Sequence, residues 1–431
     1  MRLGGRLAAA IEVLDDIERR RRPVADALKD WGLSHRFAGA GDRAAIGNIV
    51  YDALRRKRSA AWLLDAETPR ALGIGAVLLG GAVDAPGLNA QLRDDRFAPP
   101  PLGEAELAAL AERAGLDAPD TVRADCPDWC APLLEEAFGA EWIGEAAALA
   151  ARPPLDLRVN TLKADREKVL AELRETGAEP CALAAQGIRI APIAGYGRHP
   201  NVQAEPAFQK GWFEVQDEGS QIVADLAGAA GGMQVLDYCA GAGGKTLALA
   251  AAMQNHGQVF AFDAEKQRLA PIFDRLQRAG TRNVQVLGRA SELEGREESF
   301  DLVLVDAPCT GSGTWRRRPD AKWRLSQRQL DVRRREQADI LDRASAFVKP
   351  GGRLAYITCS VFDAENAAQV EAFLARAPHW RAADHVALWE SRHPGHSRSA
   401  LVDREKGIRL SPRRTGTDGF YFAALQRVQP A

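Results

Sequence analysis

Residues 235–246 read VLDYCAGAGGKT: an apolar run, a glycine-rich turn and the start of a helical pattern. We interpret the run as a buried strand, because short apolar runs bounded by turn residues are typical of parallel sheets. Further apolar runs predict strands at 259–262, 284–287, 300–305, 354–357 and 417–425. Strands and helical patterns alternate, so residues 216–431 predict an α/β domain built on a parallel sheet with right-handed crossovers.

Two further regions precede this domain. Residues 1–150 are rich in Ala, Leu and Arg with helical periodicity, and they predict an all-α domain. A proline pair at 153–154 marks the next boundary. Residues 151–215 predict a small α+β module, with strands at 155–159, 187–191 and 212–216 and a helix at 165–176.

The composition is that of a globular protein with more than one domain: 431 residues, 46% apolar and 27% charged. The six cysteines have no regular spacing, and the first residues lack a signal-like apolar core. We therefore expect a reduced, cytoplasmic protein. No apolar run approaches the roughly 20 residues of a membrane helix, so no membrane contact is expected.

The distribution of charge favours a polyanionic partner more than the net charge does. The net charge is −1, but basic residues cluster at 19–22, 55–58 and 316–335. One such cluster alone is typical of a solvated helix face. Three clusters, one of them beginning seven residues after Cys309 (316 − 309), favour a polyanion such as RNA.

The glycine-rich turn predicts a site for an adenosine-type cofactor, because glycines let backbone N–H groups approach a ligand closely. A phosphate-binding P-loop is excluded, since position 239 is Cys where that motif needs Gly. Asp263 ends the next predicted strand 20 residues after Gly243 (263 − 243), the spacing of a carboxylate that binds a ribose diol. With Asp306 ending a further strand, both a nicotinamide dinucleotide and S-adenosylmethionine fit. The alternative is a tight turn without a ligand.

Two cysteines follow predicted strands of the sheet. Cys309 stands in Asp306-Ala307-Pro308-Cys309-Thr310, and Cys359 stands in Tyr356-Ile357-Thr358-Cys359-Ser360. The carboxyl ends of parallel strands line one crevice, so both sulfurs are expected to face one pocket. Two thiols beside a nucleotide-type pocket predict covalent chemistry on an electrophilic carbon.

The alternative for any cysteine is packing, because Cys is a common small buried residue. We prefer packing for the other four cysteines: Cys126, Cys130, Cys181 and Cys239. Cys126 and Cys130 have no second His/Cys pair, so no metal site is predicted.

The thiol motifs resemble those of the Sun/Nop-type RNA (cytosine-5) methyltransferases. Asp306–Cys309 followed by Gly311–Thr314 is similar to the family's motif IV, and Tyr356–Val361 followed by Glu365-Asn366 to its motif VI. The resemblance implies a Rossmann-like class I methyltransferase domain with a mostly parallel seven-stranded sheet. It also makes residues 151–215 an RNA-recognition-like module. More loosely, residues 1–150 resemble the NusB-like RNA-binding domain of the bacterial 16S ribosomal RNA branch.

The resemblance also implies roles for individual residues. Cys359 is the nucleophile on C6 of cytosine, and Cys309 assists proton removal or product release. S-adenosylmethionine is assigned to the loop and to two strand-end acids: Cys239, Ala240, Gly241, Ala242, Gly243, Gly244, Lys245, Asp263 and Asp306. Asp306 and Lys245 are also placed at the target cytosine. The expected catalytic set is therefore Cys359, Cys309, Asp306 and Lys245.

We therefore expect a monomeric methyltransferase acting on C5 of a cytosine in 16S ribosomal RNA. Arg158 and the stretch 316–335 are expected to hold phosphates, and Trp315 and Trp323 either to stack on bases or to pack in the core. A tRNA methyltransferase is the first alternative. A non-catalytic RNA-binding assembly factor is the second, because Arg289 stands where the family usually has an Asp near the adenine.

Overall fold

The computed structural model describes residues 1–428. These residues form two compact units. The first comprises residues 1–153, 192–199 and 315–325, and the second comprises 154–191, 200–314 and the described residues from 326 onward. The predicted domain boundaries at 150 and 215 stay predictions.

The first unit is helical, as the periodicity of residues 1–150 predicted. Its helices are α1 (Leu3–Arg20), α2 (Val24–Ser34), α3 (Ala40–Arg55), α4 (Lys57–Leu63), α5 (Pro69–Leu79), α6 (Ala85–Arg93), α7 (Glu104–Arg113), α8 (Asp120–Arg123), α9 (Ala131–Phe138), α10 (Trp142–Ala148) and, from the last segment, α17 (Pro319–Arg324). Apolar residues at helical spacing, such as Leu7, Leu14 and Ile17 in α1, are buried in its core. Burial of this face stabilises the helices more than their intrinsic propensity does.

Two basic residues of the segment 315–325 are not available for the phosphate contacts expected of the stretch 316–335. Arg316 and Lys322 are buried, at 4% and 1% exposure. The Lys322 ammonium group donates to the carbonyl oxygens of Arg55 (3.1 Å) and Asp125 (2.5 Å), and burial lowers its pKa to about 8. Trp315 is also buried, which confirms packing rather than stacking on RNA. The sequence gives the charge of these residues but not their burial, so this part of the prediction was wrong.

The second unit contains a small antiparallel sheet in the order β2-β3-β1-β4. Its strands are β1 (Leu155–Val159), β2 (Ala178–Pro180), β3 (Gly187–Ile190) and β4 (Phe213–Val215), with helices α11 (Arg166–Glu172) and α12 (Pro206–Gln209). Arg158 lies in β1 with only 6% exposure, and its Nε donates to Gln216 Oε1 at 2.6 Å. Burial lowers the pKa of its guanidinium to about 10. The expected phosphate contact at Arg158 was therefore wrong.

The large sheet of the second unit has nine strands. They are β5 (Gln234–Asp237), β6 (Gln258–Phe262), β7 (Val284–Leu287), β8 (Phe300–Asp306), β9 (Val348–Thr358), β10 (Trp380–Ala382), β11 (Leu401–Asp403), β12 (Gly407–Leu410) and β13 (Phe420–Arg427). The helices around it are α13 (Glu218–Leu226), α14 (Gly244–Ala252), α15 (Lys266–Leu269), α16 (Ile272–Ala279), α18 (Gln327–Ser345), α19 (Ala367–Arg376), α20 (His385–Arg392) and α21 (Pro412–Thr415).

The strand order is β11-β12-β13-β9-β8-β5-β6-β7, with β10 beside β13. Strands β5 to β9 pair in parallel, while β10 to β13 are antiparallel. Seven strands, from β7 to β12 along the sheet, make up the predicted α/β core. The short strands β10 and β11 extend its antiparallel end to nine. Strands β6 and β7 are added on one side of β5, and β8 and β9 are added on its other side, so the strand order reverses between β5 and β8. α/β sheets bind ligands at the carboxyl ends of the strands at such a point.

Among the described residues, no helix is both long enough and apolar enough to cross a membrane.

Candidate active site

The two thiols expected to face one pocket lie side by side. Cys309 follows β8 and Cys359 directly follows β9, and these strands are parallel neighbours. Their carboxyl ends therefore meet at one edge of the sheet, and the two Sγ atoms are 3.3 Å apart. Both side chains are partly exposed, so a substrate can reach them.

The surroundings of Cys309 favour its neutral form. The hydrogen bond to Cys359 and then burial raise the pKa of the Cys309 thiol well above its usual value. Cys309 therefore stays protonated near neutral pH. A protonated Cys309 can donate a proton to a group that lies beside its sulfur, as Cys359 does.

Lys245 and Asp306 form an ion pair at the same end of the sheet. The Lys245 ammonium group, in the first turn of α14, donates to Asp306 Oδ2 at 2.6 Å. The Lys245 side chain is 8% exposed and that of Asp306 is 32% exposed. Asp306 ends β8, three residues before Cys309. Asp306 thus places a partly open carboxylate at the end of the strand that leads to Cys309, and Lys245 of α14 places a cation beside it.

The glycine-rich turn between β5 and α14 is held by the acid at the end of β6. Asp263 Oδ2 accepts from Gly241 N at 2.9 Å, and Asp263 Oδ1 accepts from Glu265 N at 2.9 Å. Arg268 Nη1 lies 3.4 Å from the same carboxylate. Gly241 (φ 51°) and Gly243 (φ 82°) are in the left-handed region that favours glycine. The predicted spacing of Asp263 therefore brings its carboxylate to the loop.

The other loop residues differ in environment. Ala240 is buried, Ala242 is exposed, and burial raises the pKa of the half-buried Cys239 thiol. A Cβ at Gly244 would meet only Gln216 Nε2, at 3.8 Å. The space beside this backbone is therefore not filled by protein, and the loop fits an adenosine-type ligand lying against it.

Asp237, the last residue of β5, belongs to this site although the sequence did not single it out. Its Oδ2 accepts from Thr246 Oγ1 at 2.7 Å, and its Oδ1 has no hydrogen-bond partner within residues 1–428. Burial raises the pKa of this carboxyl to about 7. A buried oxygen without a partner directly before the glycine turn is compatible with a polar group bound there.

Glu365 is a second site residue whose role the sequence did not predict. Its side chain is fully buried, and its Oε1 accepts from the backbone N–H of Thr310 at 2.8 Å. The predicted packing of the remaining cysteines is confirmed for Cys126, Cys130 and Cys181, which are buried.

Comparison with known proteins identifies the family. The model of the 16S rRNA methyltransferase RsmB/F family matches residues 226–426, and that of the RsmF/B-like ferredoxin-like domain matches residues 126–193. The ribosomal RNA small subunit methyltransferase B of Pseudomonas putida is 34% identical over 321 residues, which cover 73% of this chain and 69% of that protein. The chain belongs to the RsmB/F family. The predicted resemblance to RNA (cytosine-5) methyltransferases is thereby confirmed.

A second relative matches over a similar length of the chain. The ribosomal RNA small subunit methyltransferase B of Klebsiella pneumoniae is 35% identical over 303 residues, 69% of this chain. The matched part spans about 65% of the length of that relative.

Solved structures share the fold. The crystal structure of PH0851 has a TM-score of 0.71 at 25% identity, covering 99% of this chain and 100% of that one. The structure of NSun6 from Pyrococcus horikoshii with SFG has a TM-score of 0.61 at 21% identity, covering 70% of this chain and 99% of that one. The predicted class I methyltransferase fold is confirmed. S-adenosylmethionine, the predicted cofactor, is the methyl donor of this methyltransferase family.

Proposed function

We propose that the protein transfers the methyl group of S-adenosylmethionine to C5 of a cytosine in 16S ribosomal RNA, through a covalent adduct between Cys359 and C6. The observation that carries this proposal is the pair of thiols 3.3 Å apart at the ends of β8 and β9. A methyltransferase whose substrate accepts the methyl group on a nucleophilic heteroatom, such as nitrogen or oxygen, needs no thiol pair. Two thiols suit a carbon target that must first be activated and then released.

The reaction assigns different work to the two thiols. The Cys359 thiolate adds to C6, and the electron pair of the C5–C6 double bond makes C5 nucleophilic. C5 then forms a bond to the electrophilic methyl group that the cofactor supplies, and S-adenosylhomocysteine leaves. Transfer of the proton from C5 to water restores the double bond as the C6–S bond breaks and releases the Cys359 thiolate. The protonated thiol of Cys309 lies beside that sulfur, so it is placed to donate a proton as the sulfur leaves.

The residues expected at the cofactor are part of the same proposal. The backbone of residues 239–244 and the carboxylate of Asp263 would hold the adenosine and the amino-acid part. Lys245 and Asp306, 2.6 Å apart, would lie between the cofactor and the target base. The ion pair would thus orient both reactants.

The RNA contact is proposed for basic residues that the structure leaves exposed. On the small module, the Nζ atoms of Lys168 and Lys210 lie 4.0 and 5.2 Å from the ring centre of Trp212. Neither ammonium group forms an ion pair with a carboxylate in the described part of the chain, and both lysines are exposed. Unpaired cations on one face suit the phosphates of RNA.

Action as a monomer in the cytoplasm is also proposed.

Trapping of the covalent adduct tests the division of labour. In Cys309→Ala, attack proceeds while release stalls, so a protein–RNA adduct that survives denaturation should accumulate on RNA with S-adenosylmethionine. In Cys359→Ala, methylation should disappear and no adduct should form. Cys181→Ala, which removes a buried thiol elsewhere, should behave as wild type. Equal loss of activity without an adduct in either site variant would reject the assigned roles.

A further inference from the structure

Glu365 is a buried carboxylate that the proposed reaction leaves without a role. Its side chain has no exposure to solvent, and a buried charge is costly unless hydrogen bonds satisfy it. Oε1 accepts from Thr310 N (2.8 Å) and Gln337 Nε2 (3.0 Å), while Oε2 accepts from Thr310 Oγ1 (2.5 Å). Three donors therefore converge on one carboxylate.

These donors hold the loop that carries Cys309. Thr310 is the next residue in the chain, and it gives Glu365 both its backbone N–H and its hydroxyl. Gln337, on α18, also donates to the carbonyl oxygen of Pro308 at 2.9 Å. Both neighbours of Cys309 are thus fixed, one directly by Glu365 and the other through Gln337.

Glu365 is equally fixed to the loop that carries Cys359. It lies six residues after Cys359 (365 − 359), and its own carbonyl oxygen accepts from the hydroxyl of Tyr356, on β9, at 2.7 Å. Two further contacts join the loops: Gly313 N donates to Cys359 O at 2.9 Å, and the hydroxyls of Ser312 and Ser360 are 2.9 Å apart. Glu365 is the charged member of this network.

We propose that Glu365 is a positioning residue that sets the distance and orientation between the two thiols. It acts through Thr310 and Gln337 and touches no reacting atom. The inference rests on the proposed function for its catalytic meaning, because only a reaction that uses both thiols in turn depends on their separation. A misplacement of about 1 Å costs as much as about 100-fold in rate in such reactions.

Glutamine at this position separates positioning from proton transfer. In Glu365→Gln, the amide oxygen can accept from Thr310 N and Gln337, and the amide nitrogen can donate to the Thr310 hydroxyl. In Glu365→Ala, all three hydrogen bonds are lost. A positioning role therefore predicts rescue by Gln, whereas a general base would be lost in both variants.

Oxidation of the thiol pair measures the geometry without the methyl-transfer reaction. Diamide, an azo compound, takes up the two thiol hydrogens with two electrons as one S–S bond forms, and it is reduced to the hydrazine. The wild-type thiols, 3.3 Å apart, should close rapidly into the Cys309–Cys359 disulfide. Glu365→Ala should slow this step by about tenfold or more, and Glu365→Gln should stay within about threefold of wild type.

Steady-state kinetics give the second readout. Glu365→Ala should lower kcat by about 10- to 100-fold with KM for S-adenosylmethionine nearly unchanged, and Gln should restore most of kcat. The matched control is Glu218→Ala, which removes another fully buried carboxylate that accepts two backbone N–H groups. It should lower stability but leave disulfide closure and kcat unchanged.

Two results would overturn the inference. One is disulfide closure at the wild-type rate in folded Glu365→Ala. The other is a Gln variant as inactive as Ala. If wild-type protein transfers no methyl group to RNA, the proposed function fails, while the disulfide measurement still decides whether Glu365 positions the thiols.

Discussion

Adjacent glycines of the cofactor loop should respond differently to the addition of one methyl group. A Cβ at Gly243 would lie 2.4 Å from Ile272 Cγ1, at a φ of +82°, so Gly243→Ala should lower the free energy of unfolding by about 2 kcal/mol or more. A Cβ at Gly244 would meet only Gln216 Nε2 at 3.8 Å. Gly244→Ala should therefore fold normally but bind S-adenosylhomocysteine at least about tenfold more weakly, because the methyl group fills space meant for the ligand. Thermal unfolding and titration calorimetry measure the two effects. Unchanged affinity in Gly244→Ala would place the ligand elsewhere.

Site residues could be predicted from the sequence where a motif directly follows a predicted strand. They could not be predicted where the role of a residue depends on whether its side chain is buried. Cys309, Cys359 and Asp306 are brought together because β8 and β9 are parallel neighbours, which the strand pattern implied. Arg158 was misassigned because its burial depends on the packing of the small sheet and on Gln216, 58 residues later in the chain. Glu365 was visible within a motif, but its three donors come from two other segments that sequence alone does not place beside it.

At the scale of elements, α11 and the segment leading into β4 present the two lysines around Trp212. Double replacement Lys168→Ala with Lys210→Ala should weaken RNA binding and reduce the slope of log affinity against log salt concentration by about 1.4, at about 0.7 per phosphate contact. The matched control removes two exposed cations that are already paired with carboxylates: Arg404 with Asp384, and Lys406 with Glu371. A control that changes the slope as much as the lysine pair would contradict a specific phosphate contact there.

The elements of the second unit follow the sequence pattern closely, with exceptions that have local causes. The predicted strands at 155–159 and 284–287 coincide with β1 and β7. The helical segment after β6 is divided into two helices, α15 and α16, because Pro271 lies between them and interrupts the backbone hydrogen bonds. The extra strands β10 and β11 have three residues each, too few to show a clear alternation.

For the whole molecule, the helical character of residues 1–150 was predictable. The set of chain segments that form the first unit was not. Residues 192–199 and 315–325 fold with this unit although they lie far along the chain. Periodicity identifies continuous segments, so it cannot assign such returning segments. The basic stretch 316–335 is divided between the units for this reason, and its buried part, including Lys322, serves packing.

Methylation of C5 of a cytosine in 16S ribosomal RNA is the function proposed for this chain. The most direct measurement is transfer of labelled methyl from S-adenosylmethionine to small-subunit RNA that lacks the modification, with tRNA in parallel and Cys359→Ala as control. Digested RNA is then analysed for labelled 5-methylcytosine. Label is expected in ribosomal 5-methylcytosine with wild-type protein, and no label is expected with the variant. Label only in tRNA would show that tRNA, and not ribosomal RNA, is the substrate. No label in either RNA, with no binding of the cofactor, would contradict the proposed methyl transfer.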